Sequence, residues 1–263
     1  MNVLSAIARP RLSEDWHLAL KNLLLPMYCR ACGARLLTEE NCVFCPDCWE
    51  SSPRIERPFC DRCGKPHVRI VGLGALSNYP CADCRDKPNR HIRRVWGAAY
   101  YDGAVSAAIR LFKFQNKRLL AEPLAAVMEE FACREMADET YELLVPVPLY
   151  HTRLRERGFN QSLQLACLLR EAFPSAEVDQ SLQRIRPTCA QSTLTSEQRA
   201  RNVRGAFAVQ GDAIKDKRVL LIDDVITTGE TATECARALK RAGAAAVDAF
   251  AVALACPMPN FEL

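Results

Sequence analysis

The chain has 263 residues, of which 49% are hydrophobic and 25% are charged, and its formal net charge is +4. This length accommodates one large or two modest domains, and so mild a charge does not by itself indicate nucleic-acid binding. No apolar run reaches the about 20 residues that a membrane-spanning helix needs, and the N-terminus lacks the apolar region of a secretory signal. We therefore predict a cytoplasmic protein without a membrane span.

The first predicted element is a helix that begins after Ser13 and ends before Pro26. Ser13 is a suitable N-cap, and the two acidic residues that follow it interact favourably with the helix dipole. We assign residues 1–28 to this N-terminal helix, residues 29–90 to a cysteine-rich domain and residues 91–263 to an α/β domain.

Cysteine is unusually frequent, with 14 residues, nine of which fall between positions 29 and 84. In a reducing compartment, clustered cysteines bind metal more often than they form disulfides. Four Cys-x2-Cys pairs occur, and two such pairs can supply the four thiolates of a closed tetrahedral zinc site. The predicted ligands are Cys29, Cys32, Cys45 and Cys48 for one structural Zn2+ and Cys60, Cys63, Cys81 and Cys84 for a second.

Some alternatives remain open for this region. Cys42 also lies three residues before Cys45 and could replace one ligand. Iron in a rubredoxin-like site and a redox-active thiol pair are the other interpretations of the spacing. A closed four-thiolate site has no open position, so we expect no metal catalysis here. Four of the five isolated cysteines are predicted to be small core residues; they are Cys133, Cys167, Cys235 and Cys256.

From residue 91 onward, apolar strand-like runs alternate with amphipathic helical ones, which favours a mostly parallel sheet. The segment "GAVSAAIRLFKF" (103–114) presents one apolar helical face. Asn160 is a predicted helix cap before "QSLQLACLLREAF". The predicted strands are "RVWGAAYYD" (94–102), "YELLVPVPL" (141–149), "KRVLLIDDV" (217–225) and "AAAVDAFAVALA" (244–255).

The third of these strands ends in Asp223 and Asp224 and leads into a polar loop and a helix. In open α/β sheets, ligands bind at this carboxyl edge. Gly229 can adopt positive φ, and the helix start can hold an anion. Hydroxyl groups would complete this cradle; they belong to Thr227, Thr228 and Thr231. Because carboxylates repel phosphate, the combination indicates a ligand that also carries hydroxyl groups, such as a ribose 5-phosphate.

Residues 219–231 resemble the 13-residue phosphoribosyl pyrophosphate (PRPP) signature of type I phosphoribosyltransferases at every position. Residues 145–166 and 184–209, together with the cysteine pairs, resemble the ComF family, also called ComFC or GntX-like. The resemblance covers roughly residues 25 to 255. It implies an α/β fold: a type I phosphoribosyltransferase-like parallel sheet with flanking helices, preceded by a small cysteine-rich double zinc ribbon.

The resemblance also implies a donor site for PRPP with Mg2+, which the donor and water would mainly hold. A basic turn after a sheet strand would bind the pyrophosphate, a hood loop would close over the site, and Asp223 and Asp224 would be the catalytic residues. The implied PRPP-binding residues are Asp223, Asp224, Thr227, Thr228, Gly229, Glu230, Thr231, Arg153, Arg157 and Gly158, and the hood arginines are Arg199 and Arg204.

Two hypotheses of different class follow from these observations. The first is a phosphoribosyltransferase with an unknown acceptor. The second is a non-catalytic zinc-ribbon protein that binds nucleic acid and keeps the donor pocket as a scaffold. Basic clusters at 110–118, 153–157 and 184–204 and the competence resemblance favour single-stranded DNA and DNA-uptake proteins as partners. The candidate base-stacking residues are Phe112, Phe114 and Phe159; the alternative for all three is a position in the core.

Overall fold

A computed structural model describes residues 23–24, 26–36, 43–67, 78–86, 88–89, 91–115, 117–187 and 201–258. Most of the predicted N-terminal helix lies outside these residues, as do Cys42 and Arg199. The chain divides into two compact units, residues 1–51 and residues 52–263.

The first unit contains a two-stranded antiparallel hairpin, in which β1 (Met27–Tyr28) pairs with β2 (Arg35–Leu36). A Cys-x2-Cys turn connects the strands, and Gly33 closes it with φ of 75°. The short helix α1 (Pro46–Glu50) follows, with a proline in its first turn, where a missing N–H costs nothing.

The second unit is built on a five-stranded, fully parallel sheet with the strand order β3-β9-β8-β4-β5. The predicted fold class is therefore confirmed. The sheet strands are β3 (Val95–Tyr100), β4 (Leu143–Pro146), β5 (Glu177–Val178), β8 (Arg218–Ile226) and β9 (Ala246–Leu254). A separate antiparallel pair consists of β6 (Leu182–Arg184) and β7 (Phe207–Val209).

Helices cover this sheet and bury apolar faces against it. In α3, the four residues of the predicted apolar face are buried; they are Val105, Ala108, Ile109 and Phe112. The helices of this unit are α2 (Ala82–Asp86), α3 (Gly103–Phe114), α4 (Ala121–Glu135), α5 (His151–Arg157), α6 (Gln161–Leu168) and α7 (Glu230–Arg241), with a 3-10 turn at Arg118–Leu120.

The second cysteine quartet belongs to the same compact unit as the sheet. The segment before it pairs with the sheet edge through an isolated bridge between Arg54 and Ala99. The backbone N–H of Val95 donates to the carbonyl of Arg62 at 2.8 Å. A domain boundary near residue 90 stays a prediction, but packing is continuous across that position.

Within the part of the chain that the structure describes, no helix has the length and hydrophobicity to cross a membrane. Of the isolated cysteines, Cys235 is fully buried on the inner face of α7, as predicted. Cys133 and Cys167 are exposed, so the prediction that they are core residues is wrong. Both lie on the outward sides of helices, where the sequence pattern alone does not separate a small core residue from a surface one.

Candidate functional site

A cleft of about 550 Å³ lies at the carboxyl edge of the parallel sheet. Segments that follow β3, β4 and β8 form it, as expected where parallel strands end together. The charged residues in its lining are Arg110, Lys113, Arg153, Arg157, Arg184, Asp223, Asp224 and Glu230.

Asp224 is the deepest charged group of this cleft, with only 2% of its surface exposed. Its Oδ1 accepts an ion-paired hydrogen bond from Lys113 Nζ at 2.8 Å. Burial alone would lower the pKa of Lys113, but attraction by Asp224 and Asp223 outweighs it and raises that pKa. Among the described residues, Asp224 Oδ2 has no hydrogen-bond partner although it is buried. The carboxylate therefore keeps one oxygen available for a ligand.

Asp223, the preceding residue of β8, also lines the cleft. Its Oδ1 accepts hydrogen bonds from Ser162 Oγ at 3.2 Å and from the backbone N–H of Asp224 at 2.9 Å. Burial, and then the neighbouring charge of Asp224, raise the pKa of Asp223 to about 7. Asp223 can therefore bind or release a proton close to neutral pH.

The loop after the acid pair has the geometry of an anion cradle. Gly229 adopts φ of 80° and starts α7, a helix of 12 residues. A side chain there would be strained by this backbone conformation, which explains the glycine. Thr227 and Thr228 are exposed to the cleft, and the first turn of α7 provides the positive end of a helix dipole.

The opposite wall of the cleft is basic. Arg153 and Arg157 project from α5, which Gly158 ends at φ of 73°. The guanidinium of Arg157 lies 5.2 Å from the centre of the Phe114 ring. Its Nη1 is buried and has no hydrogen-bond partner among the described residues, and burial lowers its pKa. This nitrogen is a donor that a ligand anion can satisfy.

Asn160 fixes the connection between this wall and the sheet. It caps α6, as predicted, by accepting hydrogen bonds from the N–H groups of Ser162 and Leu163. Its amide also donates to the carbonyl of Val147 at 3.1 Å. The cap places Ser162 opposite Asp223. The cap can be recognised in the sequence, but the contact between Ser162 and Asp223 that depends on it cannot.

The two predicted hood arginines have different outcomes. Arg199 lies outside the described residues. Arg204 is described but is not part of the cleft lining; its carbonyl accepts a hydrogen bond from Arg186. The next residue, Gly205, donates its N–H to Glu234 of α7 at 3.0 Å. A role for either arginine in the hood stays a prediction.

Other cleft residues were not predicted as members of the site. Lys113 and Arg110 occur only in the basic cluster at 110–118, and Ser162 and Gln161 carry no local signal. Gln161 is 4% exposed and its Oε1 lacks a partner among the described residues. Arg184 lines the same cleft, and burial lowers its pKa.

The cysteine quartets each bring four sulfur atoms together. In both, the ligand atoms lie within 4.8 Å of one another. In the second quartet, Cys60 Sγ accepts hydrogen bonds from the N–H groups of Arg62, Cys63 and Cys81 at 3.3–3.4 Å. Hydrogen bonds from the Cys63 thiol and from these N–H groups lower the pKa of Cys60 to about 4. This shift favours the thiolate form of Cys60, the form in which cysteine binds zinc. Both predicted ligand sets thus fit zinc ribbons.

Comparison with known proteins supports both the cysteine-rich region and the α/β region described above. The family model for the double zinc ribbon domain matches residues 20–85, and that for the phosphoribosyl transferase domain matches residues 155–258. The chain is 31% identical over 208 residues to Competence protein F of Haemophilus influenzae, covering 75% of this chain and 85% of that protein. The chain belongs to the ComF family.

Other ComF relatives carry related names. DNA utilization protein YhgH of Escherichia coli K12 is 32% identical over 198 residues, covering 74% of this chain and 83% of that protein. Competence protein ComFC of Bacillus subtilis is 28% identical over 212 residues, covering 77% of this chain and 80% of that protein. The predicted combination of a double zinc ribbon and a phosphoribosyltransferase domain is confirmed.

Proposed function

We propose that this ComF-family protein binds PRPP with Mg2+ in the cleft and acts in the use of incoming DNA, with single-stranded DNA as a partner. The carrying observation is the juxtaposition of a carboxylate pair, an anion cradle and a basic wall in one cleft of about 550 Å³. Ribose 5-phosphate would occupy the acids and the cradle but would leave the basic wall without an anion. Phosphate alone would be repelled by the acids, and a neutral sugar would leave the basic wall unused.

The cleft suggests one orientation for the donor. The ribose hydroxyls donate to Asp223 and Asp224, whose oxygens face the cleft. The 5-phosphate occupies the cradle that begins at Gly229, where N–H groups and threonine hydroxyls surround it. The pyrophosphate meets Arg153 and Arg157, because arginine can bind phosphate oxygens with two parallel hydrogen bonds.

The donor set also fits Mg2+, which prefers oxygen ligands and retains water. The buried Oδ2 of Asp224, which lacks a partner among the described residues, is the protein atom that suits a hydrated metal or a hydroxyl group. A bound metal would supply positive charge beside the pyrophosphate. In the enzymatic form of the proposal, an acceptor displaces pyrophosphate from C1 of the ribose, and Arg153 and Arg157 stabilise the departing charge.

Isothermal titration calorimetry with zinc-loaded protein tests donor binding directly. We expect PRPP with Mg2+ to bind with micromolar affinity, and ribose 5-phosphate to bind much more weakly because it lacks the pyrophosphate. Asp223→Asn combined with Asp224→Asn should strongly weaken the binding of both ligands, because both place ribose hydroxyls on these carboxylates. The matched control is Asp212→Asn with Asp138→Asn, which alters two exposed aspartates outside the cleft.

Two results would contradict the proposal. One is equal affinity for PRPP and ribose 5-phosphate, which would remove the pyrophosphate from the argument. The other is unchanged PRPP affinity in the double cleft variant. Measuring pyrophosphate release in the same samples, with nucleobases and oligonucleotides supplied as acceptors, then separates an enzyme from a binding protein.

The DNA part of the proposal depends on the exposed surface beside the cleft. Phe114 is 71% exposed and stands next to Arg157, an arrangement suited to stacking a base beside its phosphate. Phe112, the second candidate for stacking, is fully buried, so the alternative of a core position holds for it and stacking is excluded. Phe159 is partly buried between Phe112 and Arg118. A helix end can expose one aromatic residue and bury its neighbour two positions away.

Fluorescence anisotropy with a labelled thymidine oligonucleotide tests this part. We expect binding that weakens steeply as salt rises, since cationic side chains would neutralise phosphates. Phe114→Ala should weaken it by about fivefold or more, whereas Leu119→Ala, at another exposed apolar residue (67%), should not. Absent or salt-insensitive binding would remove single-stranded DNA from the proposal.

A further inference from the structure

The second cysteine quartet lies directly behind the proposed donor loop. A cavity of about 130 Å³ separates the two, and both line it. Cys63 and Cys84 contribute from the ribbon side, while Thr227, Thr228 and Gly229 contribute from the loop side. The loop therefore has the ligand cleft on one side and the metal-binding ribbon on the other.

The ribbon approaches the sheet closely at Gly64, which has φ of 71°. A Cβ atom at this position would lie 2.6 Å from the carbonyl oxygen of Val95 and 3.2 Å from Cδ1 of Leu254. Only glycine fits without displacing backbone. This contact joins the Cys60–Cys63 turn to the ends of two sheet strands, so it fixes the position of this turn against the sheet.

Asn89, five residues after Cys84, forms a second connection. Its side-chain oxygen accepts from the N–H groups of His91 and Ile92 at 2.9 and 3.2 Å, which holds its own backbone in a turn. Its amide nitrogen donates to Thr233 Oγ1 of α7 at 2.8 Å. Thr233 in turn donates its N–H to the carbonyl of Gly229 at 2.8 Å. A short hydrogen-bonded path thus joins the ribbon to the donor loop.

We infer that metal binding at Cys60, Cys63, Cys81 and Cys84 is energetically coupled to PRPP binding, with Asn89 and Thr233 as positioning residues. This inference rests on the proposed function. A structural zinc ion supplies folding energy to a small ribbon that has little core of its own. Loss of the ion would leave the ribbon unable to support the donor loop. Part of the binding free energy of the ligand would then be used to order this loop. Coupling of this kind is reciprocal, and PRPP should equally strengthen metal retention.

The first test removes the second metal site. Cys63→Ser with Cys84→Ser should lose one of two zinc ions per chain and bind PRPP with Mg2+ about 5-fold to 150-fold more weakly in calorimetry. The matched control is Cys133→Ser with Cys167→Ser, which alters two exposed cysteines outside both quartets. Unchanged PRPP affinity in a folded variant that has lost this zinc ion would overturn the inference.

The second test leaves every metal ligand in place. Thr233→Val removes the hydroxyl that accepts from Asn89 and should weaken PRPP binding about threefold to tenfold. Thr233→Ser keeps the hydroxyl and should restore the affinity. In chelator competition with wild-type protein, PRPP should slow the release of one zinc ion, and Thr233→Val should reduce this effect. Equal affinities for the valine and serine variants would contradict the role of Thr233.

Hydrogen exchange separates this inference from the proposed function. If the wild-type protein binds no PRPP, the proposed function fails, but the positioning of the loop can still be measured. Selective loss of the second zinc ion in the Cys63→Ser/Cys84→Ser variant should increase amide exchange in residues 226–233. Unchanged exchange there would overturn the coupling whether or not PRPP binds.

Discussion

Two carboxylate clusters occupy opposite edges of the same parallel sheet, and they differ in how completely they are satisfied. At the amino edge, Asp248 is 1% exposed and its two oxygens accept four hydrogen bonds. The donors are Arg93 Nε at 3.0 Å, Arg93 Nη2 at 2.6 Å, the Arg94 N–H at 3.1 Å and Tyr141 Oη at 2.7 Å. Glu139 joins this cluster through Arg93, Arg94 and Arg218.

At the carboxyl edge, Asp223 and Asp224 have far fewer partners. One lysine, one serine hydroxyl and one backbone N–H bond the pair, and a buried oxygen of Asp224 has none among the described residues. Buried carboxylates that serve stability are normally fully bonded. The comparison assigns the closed cluster, around Asp248 and Glu139, to stability, and it supports the proposal that the open pair, Asp223 and Asp224, binds a ligand.

The largest expected effect, on the free energy of unfolding, comes from removing a charge from the closed cluster. Asp248→Asn removes the charge that pairs with Arg93, and it leaves that guanidinium with less compensation. We expect a loss of about 3 kcal/mol in the free energy of unfolding, at the lower end of the range for buried pairs because the Arg93 side chain is 35% exposed. Urea denaturation of zinc-loaded protein measures it. Asp212→Asn, at an exposed position, should change stability by less than about 0.5 kcal/mol; an equal loss in both variants would contradict the comparison.

The next effect comes from the open edge and appears in binding. Arg157→Met keeps an unbranched apolar side chain and removes the guanidinium that lies over Phe114, with its buried, unpartnered donor. We expect PRPP affinity to fall about tenfold to a hundredfold, with a smaller loss for ribose 5-phosphate, while stability is retained. Arg155→Met is the matched control, because Arg155 is exposed on the same helix. Similar losses in the two variants would indicate a general effect of charge rather than a pyrophosphate contact.

A third expected effect is a difference in pH dependence between the two edges. The native state raises the pKa of Asp223 from 3.8 to about 7, so between these values the native state binds more protons than the unfolded chain. The contribution of this group to the free energy of unfolding therefore falls as pH rises. The destabilisation that the ionised carboxylate causes reaches its full value above about pH 7. Asp223→Asn removes that cost.

Paired denaturation curves measure this third effect. The free energy of unfolding of Asp223→Asn, relative to wild type, should increase by about 2 kcal/mol from about pH 5 to about pH 8. Asp212→Asn should show a flat difference over the same range. At the amino edge the sign is opposite: ion pairing with Arg93 outweighs the effect of burial and lowers the pKa of Glu139. Glu139→Gln should therefore lose its destabilising effect as the pH falls towards the usual glutamate range.

The open edge could be predicted from sequence because its signals are local. Asp223 and Asp224 follow a continuous apolar run, Gly229 marks the positive φ, and the threonines surround it. The cysteine spacing likewise predicted both quartets, since a Cys-x2-Cys turn brings two sulfur atoms together without any long-range contact. These features depend on neighbours in the chain, and they hold whatever packs around them.

The remaining contacts of the site depend on packing between distant segments. Lys113 pairs with Asp224 only because α3 crosses the carboxyl edge of the sheet. Asn89 and Thr233 are 144 positions apart, and no periodicity in either segment indicates their contact. The closed cluster around Asp248 joins residues at the amino ends of four different strands, so it could not be predicted until the strand order was known.

The smallest expected effect concerns the hydrogen bond that partly satisfies the open edge. Ser162 Oγ donates to Asp223 Oδ1 at 3.2 Å and favours the ionised carboxylate. Ser162→Ala should therefore raise the pKa of Asp223 further, by up to about one unit. Carbon-detected NMR of the aspartate carboxyl groups measures this shift, with Ser106→Ala as the control, because the Ser106 hydroxyl donates to the Gly103 carbonyl instead. A lower or unchanged pKa would show that Ser162 does not stabilise the charge, and Lys113 would then be the one described side chain whose direct bond stabilises the ionised pair.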